Sequence, residues 1–145
     1  MNGYIFLIPE IIVITASFLI LLLDLFLPKN KRGYLVSFSI LCLVLAFLLS
    51  RQLLDAPRCY IGAGILSLDP SAVFFKLLLL ACAFFIVLMS VDYFKKSEYQ
   101  SEYYVLLFLS LCGCMLVTSA NNLIIIYLGL ELASIPTYIL SLIHI

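Results

Sequence analysis

The last apolar run of the chain contains a single carboxylate and has the sequence Tyr127-Leu128-Gly129-Leu130-Glu131-Leu132-Ala133-Ser134-Ile135-Pro136-Thr137-Tyr138. Counted from Asn121, Glu131 lies about ten residues into this run, or about 15 Å at the rise of an α-helix. That depth is about half the thickness of the hydrocarbon core of a bilayer. Since a charged side chain there costs on the order of 3 kcal/mol, Glu131 is a candidate functional residue in a membrane-spanning helix.

The rest of the chain is also strongly apolar. Hydrophobic residues make up 66% and charged residues 11% of its 145 residues, whereas soluble proteins are about half apolar and about a quarter charged. The composition therefore predicts an integral membrane protein in contact with the lipid bilayer. The formal net charge is zero and the basic residues are scattered, so we expect no binding of nucleic acid.

Five apolar runs are long enough to cross a bilayer, since a spanning helix needs about 20 residues. We predict an all-α fold, a bundle of five transmembrane helices in a single membrane domain, over residues 4–27, 34–54, 70–91, 103–118 and 122–143. Residues 55–69 are predicted to form a loop, because Gly62 and Gly64 are among the helix breakers there. Asp69 followed by Pro70 is typical of a helix N-terminus.

Two features predict how these helices are arranged. Five basic residues flank one predicted side of the membrane, against two on the other; the five are Lys29, Lys31, Arg32, Lys95 and Lys96, and the two are Arg51 and Arg58. The excess of positive charge favours a topology with the N-terminus outside. The connection between the fourth and fifth helices is so short that we expect them to be antiparallel neighbours.

Four other charged residues lie within or beside the predicted helices. Glu10, Asp24 and Asp92 are close to helix ends, so we expect them at the membrane interface rather than in a functional role. Lys76 lies roughly 10 Å into the third helix, from where its long side chain can snorkel to the outer interface. The alternative for Lys76 is an intramembrane ion pair, for which the sequence assigns no acidic partner.

Glu131 shares one face of its helix with other polar residues. Tyr127, Ser134 and Tyr138 lie four residues before it, three after it and seven after it, so they form a polar stripe with it. This stripe must face protein or water. One interpretation is that Glu131 is protonated or paired and stabilises the bundle; the other is that it relays protons, loading in a dry environment and releasing when a cation approaches.

Small residues and a proline mark other positions of the same helix. Gly129 and Ala133 are four residues apart, a spacing that lets another helix approach closely. Pro136 has no N–H for the carbonyl of Leu132, so it opens the helical hydrogen-bond ladder there. We expect this opening to favour a hydrated pocket beside the carboxylate.

The five cysteines and the single histidine show no metal-binding pattern. Four of the cysteines lie inside apolar runs, where a thiol behaves as a small hydrophobic group, so we expect structural roles and no metal. The chain likewise has no glycine-rich phosphate loop or cysteine cluster for a cofactor.

Several of these residues carry a resemblance to a known family. The core of it is Leu128-Gly129-Leu130-Glu131-Leu132 with Ser134-Ile135-Pro136 and Tyr138, supported by Ser119-Ala120-Asn121-Asn122-Leu123 and Glu102-Tyr103-Tyr104. In these residues the chain resembles the antiporter-like membrane subunit N, or chain 2, of NADH:quinone oxidoreductase, which is respiratory complex I. The resemblance extends along the whole chain but covers only the N-terminal part of the family's sequence, since such subunits have about fourteen transmembrane helices.

The resemblance implies a function for Glu131. The family's subunits translocate protons across an energy-transducing membrane, bacterial or organellar, and the corresponding glutamate pairs with a lysine on a later helix, beyond Ile145. This implies a subunit of an enzyme complex that carries no redox site or cofactor itself, with other membrane subunits as partners and NADH and quinone handled elsewhere. Two alternatives stay open: a subunit of a multisubunit cation/proton antiporter, and a structural fragment without activity.

Overall fold

The computed structural model describes residues 7–26, 33–54, 58–62, 64–94 and 100–143, with backbone only at 59, 92–94 and 143. Within this part it contains five α-helices, which are α1 (Ile8–Phe26), α2 (Gly33–Gln52), α3 (Pro70–Phe94), α4 (Gln100–Ser119) and α5 (Leu123–Ile143). All five are long and apolar enough to cross a membrane. The prediction of a helical bundle with five membrane spans is confirmed.

The observed helices differ from the predicted ones mainly at one connector. α3 continues to Phe94 and α4 already begins at Gln100, so helix replaces part of the expected connector on both sides. Some predictions concern residues outside the described side chains. These residues are Asp92 and the five basic residues from which we predict that the N-terminus is outside. That topology stays a prediction.

The first four helices form a ring. α1 packs against α2 and α4, and α3 packs against the same two helices, so α1 and α3 lie across the diagonal. Large apolar side chains from all four fill the centre, including Val13, Ile20, Leu43, Leu80, Phe108 and Met115. α5 packs on α4, in the most extensive contact between any two of the described elements. The antiparallel pair predicted from the short connection is therefore confirmed.

A small β-hairpin replaces part of the loop predicted between α2 and α3. Strands β1 (Cys59–Ile61) and β2 (Leu66–Leu68) pair antiparallel, with Ile61 opposite Leu66. Gly62 and Gly64 have φ angles of 61° and 87°, a left-handed conformation that glycine adopts without steric cost. The glycines therefore serve as turn residues of a hairpin, so part of the predicted loop forms two short strands.

The hairpin is anchored to the turn between α4 and α5. The backbone N–H of Asn121 donates to the carbonyl of Ile65 over 2.9 Å, and its side-chain amide donates to the carbonyl of Gly64 over 2.9 Å. An apolar cluster of Ile61, Leu68 and Val73 forms at the same end of the bundle. The hairpin therefore connects the start of α3 to the C-terminal end of α4.

Both helix starts next to this hairpin have recognisable caps. Pro70 is the first residue of α3, as predicted, and the carbonyl of Asp69 accepts the N–H of Val73 at 3.1 Å. At the start of α5 the Asn122 side chain accepts the N–H of Ile124 at 3.0 Å. A capping side chain of this kind satisfies one of the free N–H groups of the first turn.

Candidate functional site

The position of Glu131 is set by a very close contact between α4 and α5. A Cβ atom built on Gly113 would lie 2.5 Å from the backbone nitrogen of Ala133 and 2.7 Å from the carbonyl oxygen of Gly129. A Cβ atom on Gly129 would lie 2.7 Å from the Val117 side chain. The two backbones therefore touch, and the predicted approach of a helix to the Gly129 and Ala133 face is confirmed, with α4 as the partner.

A serine hydroxyl reinforces this contact near Pro136, and a threonine hydroxyl bonds to the same oxygen from within α5. Ser110 of α4 donates to the carbonyl oxygen of Ala133 at 3.0 Å, and Thr137 donates to the same oxygen at 2.9 Å. Pro136 is buried, and α5 continues through it as a helix. At 100° per residue Pro136 lies about 140° around the helix from Glu131. The Pro136 ring therefore lies on a different face of α5 from the carboxylate, and the hydrated pocket expected beside Glu131 stays a prediction.

The polar stripe of α5 lies on the opposite side of the helix from the glycine contact. Glu131 is exposed, Tyr127 and Tyr138 are 62% and 69% exposed, and Ser134 is half-buried. The Ser134 hydroxyl donates to the carbonyl oxygen of Glu131 at 3.3 Å. Within the described residues the Glu131 carboxylate has no ion-pair partner. The four described helices of the ring leave the stripe uncovered.

A second intramembrane charge site lies inside the four-helix ring. Lys76 of α3 forms an ion pair with Glu10 of α1, and their side chains are only 1% and 3% exposed. The expectation that Lys76 snorkels to the interface is wrong, and so is the interface placement of Glu10. The alternative of an ion pair within the bundle is the one observed, with Glu10 as the acidic partner.

The pair forms because α1 and α3 start at the same end of the ring. Glu10 lies two residues from the start of α1 and Lys76 six residues from the start of α3. At 1.5 Å per residue their depths differ by only about 6 Å, which the lysine stem spans. The depth of each residue could be estimated from the sequence, but the diagonal placement that brings together two residues 66 positions apart could not.

The stability that a buried ion pair contributes depends on whether both of its charged partners are present. Removing one partner from a buried ion pair costs about 3–5 kcal/mol, because the other charge stays buried without compensation. Replacing both partners by apolar residues is often neutral or stabilising. α4 packs against both α1 and α3, and its Cys112 side chain is completely buried in the core of the ring, so α4 forms a further wall of this site.

Asp24 occupies the other end of α1. It is half-buried and lines a groove with Ser101, Glu102 and Val105 of α4 and Ile139 of α5. Its position two residues before the end of α1 agrees with the predicted placement near an interface. In the part of the chain that the structure describes, no three potential metal ligands come together.

These features define the class of protein: a multi-pass helical membrane protein with ionisable residues inside its spans. No family model matches the chain. It is, however, 38% identical over 133 residues to NADH-quinone oxidoreductase subunit N of Dehalococcoides mccartyi and 36% identical to that of Ruthia magnifica. Each match covers 91% of the chain, and 27% and 28% of the respective relative.

A relative with a different name matches as well. Over an alignment of 148 positions that covers 97% of the chain, the sequence is 33% identical to F(420)H(2) dehydrogenase subunit N of Methanosarcina mazei, of which it covers 30%. The chain is thus a homologue of the subunit N proteins, and the resemblance seen in its sequence is confirmed. It spans about three-tenths of the length of the curated relatives that it matches.

Proposed function

We propose that the chain is part of the proton-translocating membrane subunit of a respiratory NADH:quinone oxidoreductase, and that Glu131 is the residue that takes up and releases the proton. The observation that carries the proposal is the position of Glu131. It lies near the middle of a membrane-spanning helix, on the face that the other described helices leave open. The homology to subunit N supports this assignment.

The chemistry follows from the position of the carboxylate. A carboxylate away from water favours its protonated form, and a cation brought close favours the ionised form. A partner that approaches and withdraws therefore drives a cycle of proton release and uptake at Oε1 or Oε2 of Glu131. A carboxylate maintained at this depth at a cost of about 3 kcal/mol is better explained by such a role than by packing alone.

The glycine contact between α4 and α5 supports the relay by fixing the orientation of Glu131. Gly113 and Gly129 bring the two backbones together, so α5 has little freedom to rotate. Ser110 adds a hydrogen bond to the same face. Tyr127, Glu131 and Tyr138 are thereby presented together on the open face, where a neighbouring helix can supply the cation.

The names of the relatives support a role separate from the electron donor. Proteins named for NADH and for F(420)H(2) both contain a subunit N that matches nearly all of this chain. A segment common to both does not need to recognise either donor. We propose that other subunits handle NADH, quinone and the redox cofactors, that this chain itself needs none, and that its partners are the other membrane subunits of the complex.

The test is proton translocation by the complete complex in membrane vesicles, driven by NADH, with Glu131→Gln in the full-length subunit. We expect the Gln variant to assemble and to pump fewer protons per NADH oxidised, and Glu131→Asp to retain part of the pumping. Glu102→Gln, at an exposed carboxylate in the first turn of α4, is the matched control and should pump normally. Unchanged pumping by Glu131→Gln refutes the relay; failure to assemble would instead indicate a structural role.

A further inference from the structure

Four buried polar side chains lie near one end of the helical ring, which we call the hairpin end. Glu10 and Lys76 are near the starts of α1 and α3, and Ser50 and Ser119 are near the ends of α2 and α4. Each helix of the ring contributes one of them. All four are at least nine-tenths buried, with exposures of 2%, 1%, 0% and 3% in that order.

Several oxygens of this group lack a protein partner. Within the described residues, no protein group donates a hydrogen bond to Glu10 Oε2, and the hydroxyls of Ser50 and Ser119 have no hydrogen-bond partner. The remaining polar capacity of Lys76 is also large, because an ammonium group carries three donors and the Glu10 carboxylate engages only part of them. The hairpin end thus contains both free acceptors and free donors.

Buried serines elsewhere in the ring behave differently. Ser39 donates to the carbonyl of Leu35 at 2.8 Å, and Ser90 donates to the carbonyl of Val87 at 2.7 Å. Ser17 of α1 reaches across to the carbonyl of Val105 on α4 at 3.2 Å. A buried serine hydroxyl in these helices can therefore donate to a carbonyl of its own helix or of a neighbouring one. The hydroxyls of Ser50 and Ser119 do neither within the described residues, so they are available to another partner.

We propose that the hairpin end of the ring is an internal water-binding site, in which ordered water satisfies the unpartnered oxygens of Glu10, Ser50 and Ser119 around the Lys76 ammonium group. Buried polar groups without a protein partner are normally satisfied by buried water, at on the order of one such water per 27 residues of a protein. A water molecule needs two to four polar partners, and this site offers carboxylate, ammonium and hydroxyl groups. The proposal does not depend on the proton-relay role of Glu131.

The surrounding structure separates this site from the bulk solvent. The apolar cluster of Ile61, Leu68 and Val73 packs at the same end, with Leu53 and Leu77 against it. Its hairpin is fixed to the far end of α4 through Asn121. Water at this position is therefore enclosed between the hairpin and the apolar centre of the ring.

The experiment is radiolytic hydroxyl-radical labelling of the whole chain in detergent micelles, read by mass spectrometry, because radicals formed from bound water label the adjacent side chains. Cys112 is the reporter, since it is completely buried on the inner face of α4, about two helical turns from Ser119. Cys42, which is 8% exposed near the middle of α2, is the control. We expect Cys112 to be labelled several-fold faster than Cys42, although Cys42 is the more exposed thiol. Labelling of Cys112 no faster than Cys42 overturns the proposal.

Variants identify the groups that hold the water. Replacing the pair by Glu10→Leu with Lys76→Met should reduce labelling of Cys112 to the rate of Cys42, and an unchanged rate contradicts the proposal. Circular dichroism checks that the variant is folded. Ser50→Ala and Ser119→Ala should each lower the labelling of Cys112 in a protein that keeps its ion pair. Ser39→Ala, at a serine that is already satisfied, should leave it unchanged, and equal loss in all three serine variants would overturn the proposal.

Discussion

Gly113→Ala tests the close contact that orients α5. The added methyl group would lie 2.5 Å from the backbone nitrogen of Ala133, whereas ordinary van der Waals contact begins near 3.4 Å. The obstructing atoms at Ala133, Gly129 and Leu132 are all backbone, so no side chain can rotate away and the helices must separate by roughly 0.9 Å. Overpacking of this kind costs about 1–3 kcal/mol, against which the better helix propensity of alanine returns up to about 1 kcal/mol.

Gly113→Ala should lower the free energy of unfolding by about 1–2 kcal/mol. The contacting atoms are rigid, so the cost of overpacking should lie in the upper part of its range, and the helix propensity of alanine offsets part of it. For a chain of this size that loss lowers the melting temperature by roughly 2–8 °C. Thermal unfolding in detergent, followed by circular dichroism, measures it.

Two further glycine variants control this measurement. Gly129→Ala should be milder, since its added methyl group meets a side-chain atom of Val117 at 2.7 Å and the nearest backbone atom, the Gly113 carbonyl oxygen, only at 3.0 Å. Gly33→Ala meets nothing within 4 Å and should be neutral or slightly stabilising. If Gly113→Ala were as stable as Gly33→Ala, the backbones of α4 and α5 would not be in rigid contact at Gly113.

Three further substitutions test other contacts of the structure. Lys76→Met should lower the free energy of unfolding by about 3–5 kcal/mol, and adding Glu10→Leu should recover most of that loss; denaturant titration in detergent measures both. Ser110→Ala removes the hydrogen bond to the Ala133 carbonyl and should cost about 0.6 kcal/mol, a typical value for such bonds between membrane helices. Asn121→Ala removes the side-chain bond to the hairpin and should cost about 0.5–1.5 kcal/mol, with faster amide exchange confined to the hairpin.

For each of these three predictions, one experimental outcome would contradict it. If the double variant at Glu10 and Lys76 were as unstable as Lys76→Met alone, the loss would not come from an uncompensated charge. A loss of several kcal/mol for Ser110→Ala would show that its hydroxyl does more than bond across the helices. Uniform acceleration of amide exchange in Asn121→Ala would show that the hairpin is not a separate unit.

The membrane-spanning helices could be predicted from sequence because they depend on local properties. A span needs a long apolar run, and the runs of this chain are bounded by residues such as Pro70 and Asn122 that start helices. The pairing of α4 with α5 was predictable for a similar reason. A short connection leaves antiparallel neighbours as the only arrangement, and Gly129 marks the face of contact.

The Glu10 and Lys76 pair could not be predicted because it depends on tertiary arrangement. Depth in the membrane suggested that each charge reaches an interface, but the ring places α1 and α3 on a diagonal where both side chains point inward. The hairpin was missed because its strands are only three residues long. Two short apolar runs around Gly62 and Gly64 are the signal that could have identified it.

The placement of Glu131 depends partly on local sequence properties and partly on tertiary arrangement. Its polar stripe follows from helical periodicity, and the structure shows that this stripe lies away from α4. Its proton-relay role remains a prediction, supported by depth, orientation and homology.

The most direct test of that role is redox-triggered infrared difference spectroscopy of the assembled complex, which records protonation changes of carboxyl groups during turnover. We expect a carboxyl band that is present in the wild-type complex and in Glu102→Gln, and absent from the complex carrying Glu131→Gln. A difference spectrum that is identical in the carboxyl region for the wild type and Glu131→Gln would show that Glu131 does not change its protonation state, and would refute the proton relay.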